Sequence, residues 1–384
     1  MQRRRVLVQG ASAWGAAALG LWPVAGRAQS IAGLTPQSIV LGQSAAFSGP
    51  AEQQGLQYYL GAKLYFDGLN AQGGVLGRSI EIKRLDDASD PERCVGNTRR
   101  LIQDGVFALF GYVGTPTSLA ALPLATAEKM PFFAPRTGAD ALREPFNRYA
   151  FHLRASYADE AAAIVRQLNS VGIKRIAVFY DNDADGQSVL AGVERALKPL
   201  QLAPVATGAV ERNSTDVAAV LKTILAAEPE AIVQAGNYKA SAAFVRLARR
   251  QNYVRNFYNM SFVGTQALMD ELGAEARGVV VSQVVPFPYA PSTAIASEYL
   301  ALLKDKRGIA PNYTGMEGFL AAKVFAEGVK RAGRNLSRES FVDAVAGMQN
   351  MDLGGYRLDF GAQQRVGSHF VEMTLLTADG KVRR

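Results

Sequence analysis

The chain has few of the side chains that thiol chemistry and most metal sites require. Its 384 residues include one cysteine, Cys94, and two histidines, His152 and His369. A single cysteine excludes a disulfide within the chain and a cysteine-based zinc site, and two histidines exclude a histidine-rich metal site. Both histidines have apolar neighbours, which favours a structural role for each. We therefore expect no metal and no cofactor.

Sequence motifs of hydrolysis and of nucleotide binding are also missing. The chain has no G-x-S-x-G, H-E-x-x-H, G-x-x-x-x-G-K-[ST] or G-x-G-x-x-G segment. Acidic residues cluster at 181–185, but this segment lacks the glycine and the glutamate of a calcium loop, and its Asp and Asn residues are typical of a turn. A binding protein is thus a better hypothesis than an exported hydrolase, and we expect no enzymatic activity.

Neither sign of charge dominates. Lys and Arg number 42 against 34 Asp and Glu, and four of these arginines lie in the first 28 residues, so the remainder carries 38 − 34 = +4. So small and dispersed an excess argues against a nucleic-acid partner. With 48% hydrophobic and 20% charged residues the composition is that of a globular protein. At roughly 150 residues per domain, the length predicts two or three domains.

The one long apolar run lies at the N-terminus. Arg3, Arg4 and Arg5 precede an apolar run at 6–24, and Gly26-Arg27-Ala28 then supplies the small residues of a cleavage site. We interpret residues 1–28 as a cleavable signal peptide, exported by the Sec or the twin-arginine route. A membrane anchor is the weaker alternative, because polar residues, glycines and a proline interrupt the run.

Beyond residue 37, short β-branched runs alternate with longer Ala-rich segments. This alternation is typical of βαβ units around a parallel sheet, and it occurs in two series. The first predicts strands at 38–42, 79–85, 108–111 and 130–134, with helices at 53–71, 91–104 and 117–128. The second predicts helices at 159–170, 188–200, 215–227 and 241–251, with strands at 175–180, 204–207 and 231–235. Asp90-Pro91 is a strong helix start, since Asp caps free amides and Pro suits the first turn.

Hydroxyl-bearing segments follow three of the first-series strands. They are 47–50, 111–118 and 135–138, and each precedes a predicted helix or loop at one edge of the sheet. Exposed amides and hydroxyls at helix starts suit a small anion such as a carboxylate. For any one of these Ser and Thr residues, the alternative to anion binding is that it only caps a helix. The candidate ligand-binding residues here are Ser48, Tyr112, Thr115, Thr117, Arg136, Thr137 and Gly138.

Five stretches, in this order, resemble the type I periplasmic solute-binding proteins of the leucine/isoleucine/valine-binding family. They are FSGP at 47–50, LNAQGGVLGRSIEI at 69–82, DDASDPERCVGNTRRLI at 86–102, LFGYVGTPTS at 109–118 and RIAVFYDNDADGQSVLAGVERAL at 175–197. The resemblance implies an α/β fold of two doubly wound (Rossmann-like) lobes joined by three crossovers. It also implies a monomeric periplasmic protein that captures an amino acid or related small carboxylate and delivers it to the permease subunits of an ABC importer.

The resemblance also implies where the lobes divide. The crossovers are expected near 154–157, 285–288 and 349–354. Lobe 1 then comprises 29–154 and 286–348, and lobe 2 comprises 155–285 and 349–384. A ligand-sensing module of the same fold remains an alternative function.

Carried over by resemblance, Thr115 matches the family's carboxylate-binding serine, and Arg136, Thr137 and Gly138 match the adjoining loop. Second-lobe candidates are Tyr180, Asp185, Asn237 and Tyr238. The family's ammonium-binding glutamate falls on Ala240, its ligand-covering aromatic on Asp185, and a first-lobe aromatic on Gln54. Asp185 can therefore replace the glutamate, which keeps amino acids possible. Alternatively it points to solvent, which favours a carboxylate without an amino group, for example an aromatic one.

Overall fold

The computed structural model describes residues 31–304 and 306–384, which contain two separate α/β layers. The expected signal peptide at 1–28 lies outside these residues. The first sheet has the order β2-β1-β3-β4-β5 and is parallel throughout. Its strands are β1 Ser38–Ala45, β2 Ser79–Asp86, β3 Ala108–Phe110, β4 Phe132–Phe133 and β5 Ala150–Phe151.

The second sheet has seven strands in the order β14-β13-β10-β9-β8-β6-β7. Strands β6 to β10 are parallel, and β13 and β14 add an antiparallel edge. These strands are β6 Ile176–Asp181, β7 Ala206–Val210, β8 Ala231–Ala235, β9 Phe257–Asn259, β10 Val279–Gln283, β13 Glu372–Leu376 and β14 Val382–Arg383. A small antiparallel pair comprises β11 Met351–Asp352 and β12 Arg357–Leu358.

Eleven α-helices among the described residues cover the two sheets. They are α1 Glu52–Ala71, α2 Pro91–Gln103, α3 Thr115–Ala127, α4 Tyr157–Ser170, α5 Ala184–Leu197, α6 Ala218–Ala226, α7 Tyr238–Arg250, α8 Thr265–Leu272, α9 Ala294–Leu303, α10 Tyr313–Ala332 and α11 Arg338–Ala346. The predicted two-lobed, doubly wound fold is confirmed. Helices α9 to α11 follow β10 in the chain but return to the first lobe, where α9 and α10 pack against α1 and α11 packs against α10.

Several helices begin earlier in the chain than the sequence predicts. Helix α3 begins at Thr115 rather than at residue 117, and α5 begins at Ala184 rather than at residue 188. Asp183, which was interpreted as part of a turn, is the N-cap of α5 and accepts a hydrogen bond from the Gly186 N–H at 3.0 Å. The Asp90-Pro91 start of α2 is confirmed, with the Asp90 carboxylate accepting from the Arg93 N–H.

Helices α1 and α10 approach each other backbone to backbone. A Cβ atom on Gly61 of α1 would overlap the Gly315 carbonyl oxygen, and one on Gly318 of α10 would overlap the Tyr58 carbonyl oxygen. Only glycine allows so close an approach at these two positions. The contact fixes α10, and with it the neighbouring Glu317, against the first lobe.

Candidate functional site

The site lies where each parallel sheet reverses its strand order. Both sheets follow the sequence 2-1-3-4-5 within their parallel parts, so the reversal falls between β1 and β3 in the first and between β6 and β8 in the second. Ligands of open α/β sheets bind at the carboxyl ends of the strands at such points. The segments that emerge there lead into α3 in the first lobe and into α5 and α7 in the second.

Thr115 and Asp185 connect the two lobes at this place. The Thr115 N–H donates to Asp185 Oδ2 at 3.0 Å, and the Thr115 hydroxyl donates to Asp185 Oδ1. The N-cap of α3 is Gly114, which offers no side-chain acceptor, so a carboxylate from the opposite lobe satisfies the first amide of this helix. The positive end of the helix dipole favours an anion there. The first turn of α3 is therefore a carboxylate-accepting site.

Two further side chains complete this group, which we call the threonine cluster: Thr115, Thr137, Tyr157 and Asp185. Thr137 Oγ1 lies 2.5 Å from Thr115 Oγ1, and the Tyr157 hydroxyl donates to Asp185 Oδ1 at 2.8 Å. Burial raises the pKa of Tyr157 well above its ordinary value, so its hydroxyl remains a donor. A Cβ on Gly138 would lie 2.5 Å from the Tyr157 ring, which explains the glycine there.

Asp185 is buried, with 5% of its surface exposed. The alternative in which it points to solvent is therefore wrong. It lies in the first turn of α5, two residues after the N-cap Asp183, rather than on an open loop. Burial, joined by the charge of Asp185, raises the pKa of its neighbour Asp183 to about 6. Burial also raises the pKa of Asp181 to about 7. The second-lobe face of the site is thus rich in carboxyl groups.

A second buried group crosses between the lobes, and we call it the ion-pair cluster: Arg136, Arg154, Glu160 and Glu317. Glu317 Oε2 lies 3.4 Å from Arg136 Nε and its Oε1 lies 3.3 Å from Arg154 Nη1. Arg154 Nη2 lies 3.1 Å from Glu160 Oε1. Burial opposes the charge of Arg154, yet Glu317 and Glu160 hold its pKa above the ordinary value. Two positive and two negative groups balance within the cluster.

Arg136 directs its guanidinium at protein groups on the opposite lobe. It donates to the Phe262 carbonyl at 3.2 Å and the Ser261 carbonyl at 3.1 Å, and Gln54 donates to the same Phe262 carbonyl at 2.7 Å. Glu160 accepts from the Ser261 N–H at 2.8 Å. Arg136 and Gln54 therefore fasten the first lobe to the segment after β9.

The remaining sequence-predicted residues are spread over several environments. Tyr112 is buried in the core, with its ring tilted against Phe132 and its hydroxyl 3.0 Å from Thr98 Oγ1. Thr117 donates to the Val113 carbonyl of its own helix start, and exposed Ser48 donates to Asp86. These three do not join the threonine cluster.

On the second lobe, Asn237 caps α7 and binds Asp181 through its backbone N–H at 3.0 Å. Tyr238, the first residue of α7, is buried, and Tyr180 near the end of β6 is half-buried. All three lie at the strand ends that face the site. Burial, with contributions from Glu52 and Glu271, raises the pKa of Tyr238 to about 12.

Sequence reasoning missed Tyr157, Glu160 and Glu317. Tyr157 was assigned to a crossover, and the only signal for it was Ser156, which caps α4 in a capping box with Asp159. Glu160 and Glu317 lie within helices, and a helical sequence pattern does not indicate which residues their carboxylates contact. Among the described residues, no group of three His, Cys, Asp or Glu side chains is placed to hold a metal ion. His152 is buried, and burial lowers its pKa to about 3.

Within the described ranges, no helix combines the length and the apolar character that a membrane span requires.

Comparison with known proteins places this architecture in a family. The family model described as periplasmic binding protein matches residues 38–381. A solved structure of a possible leucine/isoleucine/valine-binding protein from Rhodopirellula baltica is 31% identical, with a TM-score of 0.86 over 93% of this chain and 97% of that one. The Leu/Ile/Val-binding protein homolog 7 of Brucella melitensis is 26% identical over 92% of both chains. The leucine-specific-binding protein of Salmonella typhimurium is 22% identical over 82% of this chain and 85% of its own. The chain belongs to the periplasmic binding protein family and is a type I solute-binding protein of the leucine/isoleucine/valine-binding group.

Proposed function

We propose that the protein is the solute-binding component of an ABC importer and captures an amino acid or related small carboxylate between its lobes. One observation carries this proposal. The carboxylate of Asp185 accepts hydrogen bonds from the Thr115 N–H and hydroxyl, so this helix start binds a carboxylate in a buried setting. The names of the relatives, which refer to leucine, isoleucine and valine, support the same class of ligand.

The mechanism follows from contacts that need both lobes. A ligand carboxylate at Thr115 and Thr137 gains its full set of partners only when the second lobe approaches, so binding shifts the population toward the closed form. The ion-pair cluster fixes the relative position of the lobes as they meet. The closed form then presents both lobes together to the permease subunits of the importer.

Removal of the Thr115 hydroxyl tests the proposal. Thr115→Ala should weaken binding of a carboxylate ligand by about 1.5–3 kcal/mol, because it removes one hydrogen bond to a charged group. Calorimetry against amino acids, aromatic acids and dicarboxylates measures this. Thr117→Ala is the matched control, since that hydroxyl donates to a backbone carbonyl of its own helix start. Equal affinities for the two variants would overturn the assignment.

We also propose export to the periplasm, with cleavage after Ala28. Residues 1–28 have the basic, apolar and small-residue order of a signal peptide. Mass spectrometry of the periplasmic protein should give a chain that begins at Gln29. A chain that retains residues 1–28 would contradict this proposal.

A further inference from the structure

The hydrogen-bond donors of Thr115 are engaged by the protein itself. The Thr115 hydroxyl has a single proton and gives it to Asp185 Oδ1, so the Thr137 hydroxyl, 2.5 Å away, donates to Thr115 Oγ1. The Thr115 N–H donates to Asp185 Oδ2 at 3.0 Å. Both oxygens of Asp185 therefore lie on the donors that suit a carboxylate at the start of α3.

This contact joins two elements that follow strands of different sheets. Thr115 begins α3, after β3 of the first sheet, whereas Asp185 lies in the first turn of α5, after β6 of the second. Both residues are buried. Gln54 and Arg136 add three hydrogen bonds from the first lobe to the segment after β9. The chain thus brings its lobes together through its own side chains.

Asp185 is held in this position from its own lobe. The Tyr157 hydroxyl donates to Asp185 Oδ1 at 2.8 Å, and Tyr157 is the first residue of α4, which packs beside α5. A group that is oriented in advance loses little freedom when it binds. A solute carboxylate lacks this advantage and cannot share the Thr115 donors with Asp185, because two adjacent carboxylates repel each other.

We propose that Asp185 is an internal competitor, which occupies the carboxylate site of Thr115, holds the lobes together and is displaced when a solute carboxylate binds. This inference rests on the proposed function, since it concerns the same site. The apparent affinity for a solute is lower than the intrinsic affinity by the fraction of molecules in which the site is free. Asp185 therefore sets the solute concentration at which the protein becomes loaded.

Acetate tests this inference, because it supplies a carboxylate like that of Asp185 and no other polar group. Asp185→Ala releases the Thr115 donors and leaves the Tyr157 hydroxyl on the opposite lobe. Acetate should bind this variant about 10- to 150-fold more tightly than wild type, the equivalent of one hydrogen bond to a charged group. Calorimetry measures both affinities, with chloride at equal ionic strength as the reference.

Small-angle X-ray scattering measures the effect on the lobes. Without acetate, Asp185→Ala should have a larger radius of gyration than wild type, because two of its cross-lobe hydrogen bonds are missing. Saturating acetate should return the variant to the wild-type value, since acetate can accept from both Thr115 and Tyr157. A variant with the wild-type radius and the wild-type affinity for acetate would overturn the inference.

Asp183→Asn is the matched control, because Asn also caps a helix and the change removes a negative charge two residues from Asp185. It frees no donor on Thr115. An equal gain in acetate affinity for Asp183→Asn and Asp185→Ala would mean that charge alone governs binding, and would overturn the inference. If Asp185→Ala fails to fold in thermal melts, Asp185→Asn keeps the size of the side chain and should gain affinity in the same direction.

Calorimetry with amino acids, aromatic acids and dicarboxylates separates this inference from the proposed function. If wild type binds one of these solutes and Asp185→Ala shows no gain in affinity for acetate, the inference is wrong and the proposed function stands. If neither protein binds any of these solutes, the result counts against the proposed function itself.

Discussion

The lobes meet through two buried polar groups that differ in how their charges are compensated. The ion-pair cluster is balanced, with Arg136, Arg154, Glu160 and Glu317 in an alternating chain. The threonine cluster holds one carboxylate on neutral donors. In a balanced buried group each charge has an opposite charge beside it. A buried carboxylate without such a partner is stable only while its hydrogen-bond donors are well placed. We propose that the balanced cluster holds the lobes in register and that the threonine cluster recognises the ligand.

This comparison bears on Arg136, one of the sequence-predicted ligand-binding residues. Arg136 was proposed as a ligand partner because it stands beside Thr137 in a strand-end segment. Its guanidinium is taken up by Glu317, Ser261 and Phe262, all groups of the protein. We propose that Arg136 serves the contact between the lobes and that the neutral hydroxyls beside it bind the ligand.

Arg154→Met should break the balanced cluster and cause the largest effect. It leaves Glu160 and Glu317 buried without their shared partner, which should lower the free energy of unfolding by about 3–5 kcal/mol. Urea denaturation of wild type and variant measures the difference. A loss below about 1 kcal/mol would mean that water reaches these carboxylates and that the cluster does not behave as a buried one.

Gly138→Ala should have the second-largest effect, because it disturbs the threonine cluster. The added methyl group would lie 2.5 Å from the Tyr157 ring and would displace the hydroxyl that holds Asp185. Overpacking of this kind costs about 1–3 kcal/mol. Gly96→Ala is the control, because a methyl group there meets nothing within 4 Å in a helix and should leave stability equal or improved. Unfolding curves that rank the two variants in the opposite order would contradict the packing argument.

Asp181→Asn should flatten the pH dependence of stability. The pKa of Asp181 is raised by burial to about 7, above its ordinary value of 3.8 in an unfolded chain. The folded protein therefore binds this proton more tightly, so the stabilising contribution is full below about pH 4 and is lost as the pH rises through about 7. One such group changes stability by at most about 1.4 kcal/mol per pH unit.

Urea unfolding from pH 4 to pH 8 compares wild type with Asp181→Asn. The carboxyl group faces Asp183 and Asp185, whose charges also oppose its ionisation. Wild type should lose stability relative to the variant as the pH rises through this range. Parallel pH profiles would show that Asp181 ionises freely in the folded protein.

Arg148→Ala should have the smallest effect. Arg148 lies 2.6 Å from Asp343 and 3.2 Å from Glu339, but all three side chains are at least 44% exposed. Exposed ion pairs contribute about 0–1 kcal/mol. The melting temperature should hardly change, and a loss as large as that of Arg154→Met would remove the distinction between buried and surface pairs.

The sequence predicted the order of the strands and helices better than the residues at which the helices begin. Periodicity and cap signals located two series of βαβ units, because these depend on neighbouring residues. Thr115 and Asp185 were expected in loops, yet each lies in the first turn of a helix. The strand-end Asp residues are typical of turns and of caps alike, and only the following helix decides between the two.

The partners of the site were beyond sequence reasoning. Ser282 and Ser261 reach Glu160 across more than one hundred residues of chain, and Thr314 reaches Arg136 across 178. No local pattern reports such pairings, since they depend on how two lobes are placed. Strands β5 and β9, which are two and three residues long, were also missed.

The contact between α1 and α10 has a consequence for how this protein diverges. Gly61 and Gly318 touch backbone on the facing helix, and Glu317 precedes one of them. A side chain at either glycine would separate the helices, move Glu317 and thereby shift Arg136 and Arg154 against the second lobe. We therefore expect descendants of this chain to change what they bind through substitutions at these two glycines, which lie outside the threonine cluster, and a selection for new ligands should recover mutations there.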